Sequence, residues 1–548
     1  GLAGLCCWWV PSAIPPQPKR PGWWCVREAP TGTLKTKQEI SCDATEPLIA
    51  EQVRVKHPLR GSPISAPPVD FSADGRTELR CTLEGRLRTL PTQSGMGAVE
   101  GYNEHYSCLD REFDEELASS AVGMLEYYGG LYLNGKLPPW YYYLVTAARV
   151  VTTVKDAHGG VGVPDVRPLG VGGRFRCALL KFAVADAREP LKKRFWPHQV
   201  AVGVSGGPDL LVHAVRETMG NAPPNWVTIK IDAKNMFNTL HRGEILEEVD
   251  AHPLTRQFTA VMRAEFLPKS PIFLAGAGDN VLADFKSEEG GQQGNPLISM
   301  AACAVIHPHV VEADEALCQS GGFARFQADD GYLVGRVDLA LEAFHTLKAG
   351  LKTKGCELAP HKCIVYGPGM TAAELDDAKA AASWDCDDGV LPLRRSGIEV
   401  SGTPVGESLY VHGWLEAKVA KCRAKAAAIC GCLQSNNRHA LLTTLRLSTQ
   451  CYLDHWLRTC FPSDVKWAAK EFDKIITDAY ECATVAGITK DEAGMRRLRL
   501  PAKKFGLGFR SREWQADSAF VAAADAAISR FVSRDDFEGF LPGAETRG

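Results

Sequence analysis

At 548 residues the chain is long enough to bury a large core and to divide into about two to four domains or subdomains. It is 45% hydrophobic and 23% charged, the balance of a soluble globular protein rather than of a fibrous or wholly disordered one. A net charge of −3 excludes a global field for polyanions, so any nucleic-acid contact must come from local patches.

The eighteen cysteines fall into no CxxC or HxxxH ligand spacing, which disfavours zinc and leaves free or buried thiols. No run of about 18 apolar residues marks a membrane span. The first residue is Gly1, and "GLAGLCCWWVPSAIPP" lacks the basic start of a signal peptide, so the chain is expected to be a fragment of a longer one.

Residues 1–105 are rich in Pro, Gly, Ser and Thr and read as linker-like and disordered. "CLDREFDEELASSAVGMLEYY" (108–128) carries acids at its start and helical apolar spacing. "YYYLVTAARVVTTVK" (141–155) and "DVRPLGVGGRFR" (165–176) read as strands, and "GVSGGPDLL" (203–211) as a Gly-rich turn opening a helix. That turn is similar to the SGGxDS loop of ATP pyrophosphatases, but Leu210 stands where the second serine belongs. "NWVTIKIDAKNMF" (225–237) is a strand expected to end at Asp232. A helix from Pro296 should kink or break at Pro308. "FARFQADDGYLVGRV" reads as a hairpin with an Asp-Gly turn, and 338–356 as a helix ending near Gly355. From about residue 412 the pattern is helical, so the fold class is α+β with an α C-terminal third.

An acid closing a buried strand is costly unless a cation or hydrogen bonds compensate it. Asp232 is such an acid, and the Asp329–Asp330 pair could join it in a two-metal site; alternatively the pair is only turn chemistry. Motif order decides between the two. "IKIDAKNMFNTLHR", "GGQQGNPLISM", "FQADDGYLVG", "GCELAPHKCIVYG" and "GIEVSGTPVG" follow one another as motifs A to E of reverse transcriptases do. "DVRPLGVGGRFR" is similar to that family's fingers motif, and "LRLSTQCYLDHWLR" and "LRLPAKKFGLGFRS" to its helical segment after the palm. Over roughly residues 120–525 the chain resembles reverse transcriptases of the non-LTR retrotransposon and group II intron type.

The resemblance implies a right-hand polymerase: fingers and the start of the palm over 106–225, palm over 226–410, helical thumb over 411–535, and a tail over 536–548. It implies two Mg²⁺ ions, with Mn²⁺ as a substitute, on Asp232, Asp329 and the Ala233 carbonyl, with Asp330 beside them. Phe237 would lie under the incoming sugar and exclude a 2′-hydroxyl, or else simply pack in the core. Gln293 and Gly294 would line the nucleotide pocket, with Asn295 as a possible N-cap of the following helix. Arg167 would clamp the triphosphate through its fork, Lys155 would be a second phosphate contact, and Lys362 would protonate the leaving pyrophosphate. Each of the two lysines is equally readable as a solvated surface residue. Lys192, Lys193 and Arg194, and Arg496, Arg497, Arg499, Lys503 and Lys504, form basic runs for nucleic-acid phosphates, though charge runs also serve as solvated faces.

Three positions depart from the family pattern: Gln327 replaces an aromatic before the acid pair, Asn238 an Asp after Phe237, and Asn295 an Asp in motif B. Gln327 would sit at the primer end. The implied partners are an RNA template, a DNA primer and dNTPs, and the implied location is nucleus or cytoplasm. Two other readings stay open: an RNA-directed RNA polymerase, which Phe237 disfavours, and a decayed retroelement relic that only binds nucleic acid. No endonuclease motif stands out in 1–105, and no RNase H cluster after 525.

Overall fold

The computed structural model describes residues 47–61, 63–64, 69, 77–91, 103–107, 115–154, 166–275, 281–384, 391–433, 437–484, 492–532 and 539–542. Expectations for residues 1–46 and Lys155 lie outside these. The segment read as linker is a correction in part. Within it α1 (Pro47–Val55) forms, and Ile49 and Val53 pack with Val150, Val166, Ile272 and Leu274. Leu83 and Leu87 join the main core, and Asn134 Oδ1 accepts the Leu79 N–H at 2.8 Å. Composition misleads here because a few apolar residues suffice when a neighbouring sheet supplies the other side of the contact.

The short α2 (Asn103–Ser107) precedes α3 (Glu115–Leu133); residues 108–114 lie outside the description. α4 (Pro139–Val145) corrects the strand expected over 141–147. Pro139 opens it, and Tyr142 is buried with its hydroxyl donating to the Tyr132 carbonyl at 2.8 Å. That tertiary burial overrides the β-preference of a Tyr run. β1 (Ala148–Val154) pairs antiparallel with β2 (Val166–Val171), and helices α5 (Arg174–Asp186), α6 (Arg188–Phe195) and α7 (Gly207–Gly220) follow.

β3 (Trp226–Lys234) is buried along most of its length, with Val227, Ile229 and Ile231 facing the main core, as its β-branched residues dictate. It runs two residues past Asp232 because Ala233 and Lys234 pair with a later strand. After it come α8 (Met236–Thr239), α9 (Arg242–Ala251), α10 (Thr259–Phe266), β4 (Ser270–Ala275) and β5 (Val281–Ser287). Among the described residues β2, β1, β4 and β5 form one four-stranded sheet in that order, β1 lying parallel to β4.

α11 (Ile298–Cys318) is apolar nearly all round because it is buried nearly all round, and it continues through Pro308 without the expected break. The hairpin β6 (Phe323–Gln327) and β7 (Asp330–Arg336) follows, then α12 (Val337–Thr353), β8 (Glu357–Leu358), β9 (Ile364–Tyr366), α13 (Ala372–Ala381) and β10 (Leu393–Arg394). The second sheet has the order β10-β9-β3-β7-β6, with β8 also paired to β3. A small hairpin, β11 (Gly397–Val400) and β12 (Thr403–Gly406), leads to the helical C-terminal third. That third comprises α14 (Ser408–Leu433), α15 (Arg438–Leu447), α16 (Asp454–Thr459), α17 (Pro462–Thr484), α18 (Glu492–Arg499) and α19 (Arg512–Ile528), with its own apolar core. Of the expected tail, Phe540 and Leu541 are buried against Trp196 and the back of the second sheet. The fold is thus α+β as the sequence predicts, and no helix among the described residues is long and apolar enough to cross a membrane.

Candidate active site

β7 pairs with β3 so that Asp330 lies directly opposite Asp232, and with β6 so that it also lies opposite Gln327. Direct partners in a ladder share one face, so Asp232, Asp330 and Gln327 project together. The turn itself is Ala328–Asp329, two residues earlier than the Asp-Gly turn expected. Gly331 already lies in the strand, where an added Cβ would sit 2.2 Å from the Phe326 ring. Ala328 adopts φ +57°, a left-handed conformation that costs a non-glycine residue about 1–2 kcal/mol. Asp329 therefore sits on a turn that must be held.

Burial raises the Asp330 carboxyl above its ordinary range, and the like charges of Asp329, Asp232 and Glu399 raise it further against the pull of Lys230. Asp329 also pushes up the Cys356 thiol, after burial itself, to about 12. Asp330 thus feels three like charges against one lysine. Among the described residues no three or more His, Cys, Asp or Glu side chains come together as a group that could hold a metal ion. Mg²⁺ does not need such a cluster: it keeps waters and takes one or two carboxylates together with substrate phosphates. The Asp232 carbonyl accepts the Ala359 N–H at 2.9 Å, and successive carbonyls of a strand point to opposite edges. The Ala233 carbonyl therefore faces away from β8, toward the turn. The carboxylates paired across β3 and β7 are hard oxygen donors of the type a divalent cation such as Mg²⁺ takes.

The loop before α11 is tied to α8 and the residue that follows it. Gly291 N–H donates to the Phe237 carbonyl at 2.7 Å, and Gly290 N–H to the Leu240 carbonyl at 2.8 Å. On its other side the Gln293 carbonyl accepts the Gly170 N–H at 2.8 Å, which seats the end of β2 against the loop. Gly294 has φ +115°, and a Cβ there would lie 2.3 Å from the Gly170 carbonyl, so only glycine fits. These bonds tie the loop to β2, on which Arg167 is exposed, and to the carbonyl of Phe237. Phe237 is half-buried against the core, and the side-chain oxygens of Gln293 and Gln327 are buried without a hydrogen-bond partner. Lys362 is exposed on the turn whose Ala359 bonds Asp232.

Several expected residues take other roles. Asn295 is not an N-cap. Its Oδ1 accepts the Leu297 N–H at 3.0 Å and its amide donates to Glu265 at 3.2 Å, while α11 begins at Ile298. Asn238 is buried and donates to Asn235 Oδ1 at 2.9 Å. Arg194 is withdrawn from the basic run: its Nε is buried, and burial lowers its guanidinium while Glu248 opposes that shift. Lys193 is exposed and Lys192 half-buried beside it. Arg499 turns to the Arg510 carbonyl at 2.9 Å and to Asp473 at 3.6 Å, whereas Arg496, Arg497, Lys503 and Lys504 stay exposed.

Three supports were missing from the sequence reading. Glu265 accepts Arg176 Nε at 2.8 Å and Nη2 at 2.6 Å, together with Tyr132 Oη and Asn295, which ties α3, α5 and α10 to the loop. Asp209 accepts His455 Nδ1 at 3.0 Å and Arg458 Nε at 2.6 Å. His455 Nε2 lies 3.0 Å from the Ser401 carbonyl, and Ser401 N–H donates to Tyr332 Oη on β7 at 2.7 Å. The "SGGPD" segment thus latches the helical third to the sheet. Gln199, fully buried, donates to the Ala328 carbonyl at 3.1 Å and accepts its N–H at 3.0 Å.

No protein-family model and no curated protein sequence matches the chain. Among solved structures it is similar to telomerase from Candida albicans in complex with a TWJ fragment of telomeric RNA. The TM-score there is 0.42 at 12% identity, over 73% of this chain and 64% of that one. It is also similar to apo telomerase from Candida tropicalis truncated from the C-terminal domain. There the TM-score is 0.31 at 11% identity, over 40% of this chain and 50% of that one. At these scores the likeness says nothing of what this chain does.

Proposed function

We propose that this chain is an RNA-directed DNA polymerase, adding dNTPs to the 3′-hydroxyl of a DNA primer on an RNA template. The observation that carries the reading is Asp232 opposite Asp330 across β3 and β7, with Asp329 on the adjoining turn. Asp232, Asp329 and the Ala233 carbonyl would hold Mg²⁺, or Mn²⁺, with Asp330 beside them. Bound there, the ions would supply activation of the primer hydroxyl and charge neutralisation on the leaving pyrophosphate. In this reading the four-stranded sheet belongs to the fingers, the second sheet is the palm, and α14–α19 make the thumb.

In this reading other residues supply selection and grip. Phe237 blocks a 2′-hydroxyl by bulk, which favours deoxynucleotides. Arg167, with Lys155, engages the triphosphate, Gln293 and Gly294 shape the nucleotide pocket, and Lys362 gives a proton to pyrophosphate. Lys192, Lys193, Arg496, Arg497, Lys503 and Lys504 contact phosphates without reading sequence. The finer assignment, to the non-LTR or group II intron type, rests on the order of motifs A to E. Primer extension on RNA and DNA templates, with dNTPs against NTPs, tests the reading. Mg²⁺-dependent incorporation of dNTPs is expected; a preference for NTPs would instead make the chain an RNA-directed RNA polymerase.

A further inference from the structure

Ala328 stands one residue before Asp329 with a left-handed backbone and no glycine to ease it. Its backbone N–H and C=O, which belong to the two peptides flanking its Cα, are both taken by one carboxamide, that of Gln199, at 3.0 and 3.1 Å. Gln199 is itself fixed on every side. It is fully buried and bridges in parallel to Phe326. The flanking backbone bonds run from Val200 N–H to the Phe326 carbonyl at 2.9 Å and from Phe326 N–H to the His198 carbonyl at 2.8 Å. A stretch some 129 residues upstream thus reaches the hairpin through an isolated bridge and presents one amide to the turn. A carboxamide can donate and accept in the same plane, so it matches the N–H and C=O of one residue as no shorter or apolar side chain can.

We propose that Gln199 is a positioning residue: it clamps the Ala328 backbone in its left-handed turn and so fixes the Asp329 carboxylate beside Asp232. The proposal rests on the polymerase reading above. Without the clamp, Ala328 relaxes toward ordinary backbone conformations, and rotation there swings Asp329, the next residue, off the Asp232–Asp330 line. Bulk folding changes little, because β6, β7 and β3 remain paired on their own ladders. The cost falls on catalytic geometry rather than on substrate affinity.

The test is steady-state single-nucleotide incorporation by the full chain, on an RNA template with a DNA primer. Q199M should lower kcat roughly tenfold or more while KM for dNTP stays within about threefold, with an unchanged circular-dichroism spectrum. The same substitution is then made in an A328G background, where glycine adopts the left-handed turn without strain. There the loss caused by Q199M should shrink at least about threefold, a rescue that a merely structural glutamine would not give. Should Q199M fail to fold, Q199E keeps the shape and the bond from the Ala328 N–H, loses the one to its carbonyl, and carries the same comparison. A parent that incorporates nucleotides while Q199M matches it, or an equal loss in both backgrounds, overturns the clamp alone. A parent that incorporates nothing overturns the polymerase reading, and the clamp's role with it.

Discussion

Replacing Arg176 with methionine tests whether the buried knot at Glu265 ties the loop before α11 to the helices around it. The two side chains are 4% and 1% exposed, and four hydrogen bonds converge on the carboxylate. R176M removes two of them and leaves a buried charge served only by Tyr132 and Asn295. Breaking one side of a buried pair costs about 3–5 kcal/mol, far more than an exposed pair would. R176K keeps the charge but loses the planar fork, so it should cost roughly half as much. Urea unfolding followed by circular dichroism reads both, as shifts of midpoint at unchanged slope. An R176M loss below about 1 kcal/mol, or equal losses for the two variants, would refute the knot as a structural tie.

Phe540 is fully buried against Trp196, and its carbonyl accepts Arg325 Nη2 at 2.8 Å; F540A should therefore cost about 3 kcal/mol or more, read by the same unfolding assay. Arg325 also pairs with Asp314, whose carboxyl is lowered: burial opposes the shift, but Arg325 and His198 outweigh it. A depressed folded pKa gives stability that is present above the unfolded value and lost as pH falls through the folded one. Acid unfolding should therefore steepen below about pH 4 in the parent and flatten in D314N. H455A leaves the Ser401 carbonyl without its donor and Asp209 with Arg458 alone; processivity in primer extension should fall while the rate of the first addition is kept.

Much of the sheet was legible because its signals are local. β3, the β6–β7 hairpin and α12 announce themselves by β-branched runs, a turn and helical periodicity. α4 was not, because three tyrosines favour a strand until Tyr142 finds its place beneath Tyr132. The overrun of β3 past Asp232 was equally hidden, since β8 makes it and lies in a different part of the chain. Asp232, Asp329 and Asp330 were singled out by motif order alone. Their supports could not be, as Gln199 reaches Ala328 across 129 residues, Arg176 reaches Glu265 across 89, and His455 reaches Asp209 across 246. No local pattern marks a glutamine or an arginine whose partner is that remote. The turn was misplaced by two residues because Asp-Gly is a strong hairpin signal, and here Gly331 instead makes room for the Phe326 ring.

The central claim is that the carboxylates gathered at the end of β3 and β7 are the catalytic centre of a template-directed polymerase. Primer extension with dNTPs on a primed RNA template, comparing the parent chain with D329N/D330N in Mg²⁺, tests it most directly. The account predicts extended products from the parent and none from the double variant at equal folded concentration. Synthesis retained by D329N/D330N, or absent from a folded parent, would contradict it.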